Sequence, residues 1–279
     1  MLSLSCPDRV GIVARVAGFF ADAGGWIVEA SHHADSVSGQ FFLRQEVLAR
    51  SLPFEIAELR ERFTPIAAEF AMRWQVTDTA ATKRLVILVS TQEHCLYDLL
   101  ARWRSGEFAV EIPCVISNHD TLRGVAEWHG IPFHHVPVPS GSREAAFAEV
   151  RELVDAARPD AVVLARYMQI LPADLCEAWF GRALNIHHSF LPAFAGARPY
   201  HQAYDRGVKL IGATCHYVTR DLDAGPIIDQ DVIRIDHGDT VEDLVRYGKD
   251  IEKVVLARAL RYHLEDRVLV HGNKTVVFT

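Results

Sequence analysis

Residues 184 to 230 read LNIHHSFLPAFAGARPYHQAYDRGVKLIGATCHYVTRDLDAGPIIDQ, and polar groups of several kinds stand in it where apolar runs break off. Ala183 to His187 reads as a buried strand that ends at Ser189-Phe190-Leu191-Pro192, since proline does not continue a central strand. Leu210 to Val218 reads as a second strand, followed by a turn at Thr219 to Pro226 signalled by its Asp, Gly and Pro content. Asn185 and His187 are two apart on a strand, so their side chains share a face. If the two strand ends are neighbours, an amide, an imidazole and the carboxylate of Asp223 converge. Ligands in open α/β sheets bind beyond such strand ends. Taken singly, these residues read as readily as a hydrogen-bonded structural Asn, a satisfied His and a turn-forming Asp.

Working outward, the 279 residues suffice for one large or two modest domains, and a hydrophobic content of 49% permits a sizeable core. A net charge of -7 provides no footprint for nucleic acid or an anionic membrane. The five cysteines are scattered and never form C-x-x-C, which predicts reduced thiols in a cytoplasmic protein. No apolar run approaches the roughly 20 residues a membrane helix needs.

Residues 1–76 carry the pattern βαββαβ, a ferredoxin-like unit: a strand at Leu2 to Leu4, a helix at Ile12 to Ala23, strands at Trp26 to His33 and Gln40 to Ala49, a helix at Pro53 to Phe70, and a strand at Met72 to Val76. Residues 77–83 are polar and short, the expected linker. From 84 to 279 strands alternate with helices: strands at 84–90, 110–117, 133–136 and 161–165, helices at 93–104, 121–129 and 142–157, and a closing helix at 241–263. This predicts an α/β, Rossmann-like domain with a mostly parallel sheet.

The first unit resembles an ACT domain through Pro7-Asp8-Arg9-Val10-Gly11-Ile12-Val13. The resemblance implies a regulatory module in which Asp8 and Gly11 bind an amino-acid effector such as glycine or methionine, and it implies a homo-oligomer. The residues alone are equally compatible with a turn and a helix cap.

The second unit resembles the folate-dependent formyltransferase fold. Asn185-Ile186-His187, Ser189-Phe190-Leu191-Pro192, His216-Tyr217-Val218 and Leu222-Asp223-Ala224-Gly225-Pro226-Ile227-Ile228 match its signature in order. The resemblance implies that Asn185, His187 and Asp223 are catalytic. It also implies that a folate loop at Tyr167, Met168, Gln169, Ile170 and Leu171 binds substrate together with Asp221. Folate is then the substrate, with no separate cofactor. The loop Val89 to Leu96 contains no glycine and adds Glu93, which argues against a phosphate cradle for a phosphorylated acceptor. Water is left as the acceptor, so the expected reaction is hydrolysis of 10-formyltetrahydrofolate to formate and tetrahydrofolate, feeding one-carbon and purine metabolism. His188 and Ala195 stand where relatives often carry other residues.

Two rival readings are a formyltransferase acting on a non-phosphorylated acceptor and a catalytically silent amino-acid sensor. Metal catalysis is not expected, because the paired histidines (32–33, 134–135, 187–188) are sequence neighbours without ligand spacing. The chain also lacks G-x-S-x-G and G-x-G-x-x-G.

Overall fold

Leu85 to Val89 has no polar side chain and is buried along its whole length, as expected of a strand with neighbours on both sides in a covered sheet. In the structure, a computed structural model, residues 1–139, 141–193 and 199–279 are described, and the chain divides into two units. The first comprises Met1–Ala81 with Glu265–His271 and Thr275–Thr279; the second comprises Thr82–Leu264 with Gly272–Lys274.

The first unit runs β1 (Leu2–Pro7), α1 (Ile12–Asp22), β2 (Ile27–Asp35), β3 (Gln40–Val47), α2 (Ile56–Glu69) and β4 (Arg73–Val76). Its sheet has the order β2-β3-β1-β4 and is antiparallel throughout. Leu2 and Leu4 from β1 meet Ile12, Val16 and Phe20 from α1 and Phe63 and Ile66 from α2 in one core. The helical residues recur every three or four positions, which turns one stripe of each helix to the sheet.

In the second unit the chain continues through β5 (Lys83–Val89), α3 (His94–Arg104), β6 (Val110–Glu111), β7 (Val115–Ser117), α4 (Arg123–Trp128), β8 (Phe133–His135), α5 (Arg143–Ala157) and β9 (Ala161–Leu164). Then follow α6 (Ala173–Ala178), β10 (Ala183–His187), α7 (Pro199–Arg206), β11 (Leu210–Tyr217), β12 (Ile227–Arg234) and α8 (Val241–Leu264). The sheet order is β12-β11-β10-β9-β5-β7-β8, with β6 also on β5. From β10 to β8 the neighbours are parallel; β11 and β12 are added antiparallel. Phe147, Val150 and Val154 of α5 pack with Val86, Leu88, Val162 and Trp179. No described helix is long and apolar enough to cross a membrane, and all five cysteines are buried and unpaired.

Four features depart from the sequence reading. The single strand expected over 110–117 is two pieces, β6 and β7, because Pro113 lies between them and offers no N–H to a ladder. Elements α6, α7 and β12 are additional to that reading: α6 and α7 carry too few apolar residues to declare a period, and Asp229-Gln230-Asp231 interrupts the apolar pattern of β12. The C-terminal strands β13 (Val268–His271) and β14 (Lys274–Val277) pair with each other, and most of this segment groups with the first unit rather than with residues 84–264. There Thr77 donates its hydroxyl to Asp266 at 2.9 Å, and Arg44 donates to the Glu265 carbonyl at 3.1 Å. Finally, β10 and β11 run antiparallel, so their C-terminal ends point apart. Ala195 lies outside the described residues.

The connection from β11 to β12 closes tightly. Tyr217 donates its N–H to the Pro226 carbonyl at 2.9 Å, and a Cβ on Gly225 would overlap the Tyr217 carbonyl oxygen. Only glycine lets the two backbones approach so closely. Gly225→Ala is therefore expected to lower the unfolding free energy of the second unit by about 2 kcal/mol, read from the denaturant midpoint; an unshifted midpoint would contradict this account of the turn.

Candidate active site

The antiparallel register of β10 and β11 sets Asn185 directly opposite His216 and His187 opposite Thr214. Side chains so placed share a face and lie within reach of one another. Asn185 Nδ2 is 3.3 Å from His216 Nε2, while the other ring nitrogen of His216 donates to the Tyr217 carbonyl at 2.9 Å. That second bond fixes the ring, so Nε2 faces the site.

Asp223 arrives from the turn after β11, which folds back along the strand pair. Its backbone is left-handed at φ 54°, a region that Asp tolerates better than most residues. The Asp223 carboxylate lies 3.1 Å from His187 Nδ1 and 3.8 Å from His216 Nε2. Burial works to raise the Asp223 carboxyl, but hydrogen bonds and charge from His187 and His216 outweigh it and hold the group well below the ordinary carboxylate range. Asp223 is thus an anion that orients His187 through Nδ1. The opposite nitrogen, Nε2, is buried and without a hydrogen-bond partner among the described residues. An imidazole held in this way can accept a proton at Nε2 and be stabilised as a cation by the carboxylate behind it.

The segment after β10 is held by a buried polar clamp. Thr214 donates its hydroxyl to the Ser189 carbonyl at 2.8 Å and accepts from the Leu191 N–H at 3.0 Å and from Gln230 Nε2 at 2.8 Å. These bonds satisfy groups that burial would otherwise leave unpaired. They also keep the chain beyond His187 against β11.

Beside the cluster is a cleft lined by Gln169, Ile170, Leu171, Asn185, His216, Asp221 and Asp223. The structure thus gathers Asn185, His187 and Asp223, and brings Gln169, Ile170, Leu171 and Asp221 to the same place. Tyr167 and Met168 do not line the cleft. Tyr167 is 1% exposed in the core, where burial pushes its hydroxyl up to about 12, and Met168 is 58% exposed. Both Arg166 and Met168 have left-handed backbones, at φ 63° and 58°, which gives this loop its irregular path. In the first unit, Gly11 caps α1 with φ 98° and Asp8 is exposed; among the described residues no side chain caps the helix.

Residues that sequence reasoning missed form a second buried cluster next to the first. Glu252 lies on the buried stripe of α8, in step with Leu244, Gly248, Ile251, Val255 and Leu256. It accepts from Tyr200 Oη at 2.6 Å and pairs with His94 Nε2 at 2.7 Å; Arg166 Nη1 is 3.5 Å away. An acid in the apolar stripe of a helix was the one signal available for Glu252. His216 stood within a quoted motif, but its role depends on strand register. His94, Cys95 and Glu252 bring ligating atoms within 4.8 Å of one another, yet Arg166 already places a positive charge on that carboxylate.

His188 links the clusters: its ring is 5.2 Å from that of His187 and 6.1 Å from that of Tyr200. Burial, reinforced by the Arg166 charge, pushes His188 down from 6.5 to about 3. Between those values the unfolded chain binds a proton at His188 that the folded chain does not, so stability rises with pH across the window and is lost on acidification. Asp223, whose folded value is depressed, adds to the loss below its ordinary 3.8. In His188→Gln, the slope of unfolding free energy against pH between about 6 and 4 is expected to fall by about one proton; an unchanged slope in denaturant titrations would refute a neutral buried His188.

Residues 83–260 match the model of the formyl transferase family. A formyltetrahydrofolate deformylase of Synechocystis is 48% identical over 277 residues, covering 99% of this chain and 97% of that protein. The crystal structure of a formyltetrahydrofolate deformylase from Pseudomonas syringae superposes with a TM-score of 0.98 at 62% identity, covering 100% of this chain and 93% of that one. One from Burkholderia mallei gives 0.94 at 44%, covering 100% and 98%. With its sheet, its strand-end cluster and these similarities in agreement, the chain belongs to the formyl transferase family.

Proposed function

We propose that this chain is a formyltetrahydrofolate deformylase, hydrolysing 10-formyltetrahydrofolate to formate and tetrahydrofolate and so supplying formate for one-carbon and purine metabolism. The observation that carries the reading is the 3.1 Å pairing of Asp223 with His187 beside Asn185. Names of relatives similar over nearly the whole length support it.

In this reading the folate lies in the cleft at Gln169, Ile170, Leu171 and Asp221. Asp223 positions the attacking water together with His187. His187 Nε2 takes a proton from that water as its oxygen adds to the formyl carbon, and the Asp223 carboxylate stabilises the resulting imidazolium. Asn185 and the imidazolium donate to the oxyanion of the tetrahedral intermediate. The bond from carbon to N10 then breaks as the imidazolium returns the proton to N10, and the formic acid released gives up its remaining proton to solvent to become formate. Folate is the substrate and no separate cofactor takes part.

The first unit is read as an ACT-like regulatory module at which an amino acid such as glycine or methionine binds near Asp8 and Gly11. The chain is read as a cytoplasmic homo-oligomer.

Formate release from 10-formyltetrahydrofolate, without any added acceptor, is the assay. Asp223→Asn is expected to lower the rate by about 10²–10⁴-fold; release at the normal rate would sink the role given to the carboxylate, and an absolute need for an acceptor would favour a transferase. Glycine or methionine is expected to change the wild-type rate, and Asp8→Ala to abolish that response. If neither amino acid has any effect, the proposed effector site fails.

A further inference from the structure

Glu252 has more partners than it needs, while Arg166 has fewer. The two carboxylate oxygens of Glu252 receive the short bonds from Tyr200 and His94, whereas Arg166 stands 3.5 Å off and makes no hydrogen bond to it. Arg166 Nε and Nη1 are both buried and without a hydrogen-bond partner among the described residues, although 11% of the side chain remains open to solvent. His94 is equally unusual: its side chain is 8% exposed, Nε2 is engaged with Glu252, and Nδ1 has no hydrogen-bond partner among the described residues. A buried donor or acceptor left without a partner is costly, so three such atoms around one carboxylate call for a ligand or water. The cluster is continuous with the site above. From His187, whose own Nε2 has no hydrogen-bond partner among the described residues, ring contacts lead through His188 to Tyr200 and so to Glu252 and Arg166.

We propose that Arg166, with His94 at its side, forms a subsite for the small carboxylate produced at His187, namely formate. Planar guanidinium N–H groups match a carboxylate in geometry and charge. Glu252, 3.5 Å from Nη1, holds the guanidinium in place by its charge, and the N–H groups of Arg166 that make no hydrogen bond are left to a second carboxylate. The subsite receives formate as the bond to N10 breaks and separates it from the folate, which occupies the other side of the cluster. This inference rests on the hydrolytic reading, and its test is chosen so that the two can fail separately.

The probe is formate with the full-length enzyme. Added to the deformylation assay, formate is expected to inhibit the wild type. Arg166→Lys keeps the charge beside Glu252 but loses the planar pair of donors; it should raise the formate inhibition constant by about tenfold, while inhibition by tetrahydrofolate stays the same. Arg166→Met combined with Glu252→Gln removes both charges together, so that neither is buried alone, and is expected to weaken formate in the same way. Unchanged formate inhibition in both variants, or no inhibition of the wild type, overturns the subsite. Line broadening of ¹³C-formate by the protein needs no turnover. Broadening by the wild type that is lost in Arg166→Lys, in a protein that releases no formate from 10-formyltetrahydrofolate, would uphold the anion subsite and reject the hydrolytic reading.

Discussion

The antiparallel pairing of β10 with β11 is the constraint on which the rest of the site depends. At the edge of the parallel strands β10 to β8, this pair places the end of one strand beside the middle of the next. Asn185 therefore faces His216 across the ladder, and the turn leaving β11 must double back to enter β12. Gly225 closes that return against Tyr217, and the left-handed residue two positions earlier, Asp223, is delivered to His187. A shift of register by one residue would turn both Asn185 and His187 to the opposite face.

Around that pair, burial and charge act in opposite directions on neighbouring groups. Asp223 is partly buried yet stays ionised, because two imidazoles face it. His188, one residue along the chain from His187, is kept neutral by burial beside Arg166. Adjacent histidines thus have different environments: the ring of one is oriented by a carboxylate, and the other sits between two charged clusters. The contrast follows from the strand ending at His187. One side chain lies on the sheet face, and the next leaves it toward Tyr200.

A helix ordinarily turns its charged residues outward, and α8 breaks that rule at Glu252. The departure is tolerated because a hydroxyl, an imidazole and a guanidinium from three other parts of the second unit meet the carboxylate. Isolated burial of such a charge would be prohibitive. Among the described residues, the same neighbours leave Arg166 and His94 with unmet bonding capacity beside the strand-end cluster.

By itself the sequence determined much of the architecture. The apolar run of β5, the helical stripes of α1, α3, α5 and α8, and the break at Leu191-Pro192 are local patterns that chain geometry translates directly into elements. It also placed Asn185 and His187 on one face, since strand alternation is local. What the sequence could not determine was anything that depends on who lies beside whom. The direction of β11, the pairing of Asn185 with His216, and the return of the C-terminal segment to the first unit are of that kind. So is the gathering of His94, Arg166, Tyr200 and Glu252, which are up to 158 residues apart in the chain. Such contacts are selected by the packing of the whole unit, because a charged or polar side chain carries no periodicity that names its partner, and only the folded sheet brings the two within bonding distance.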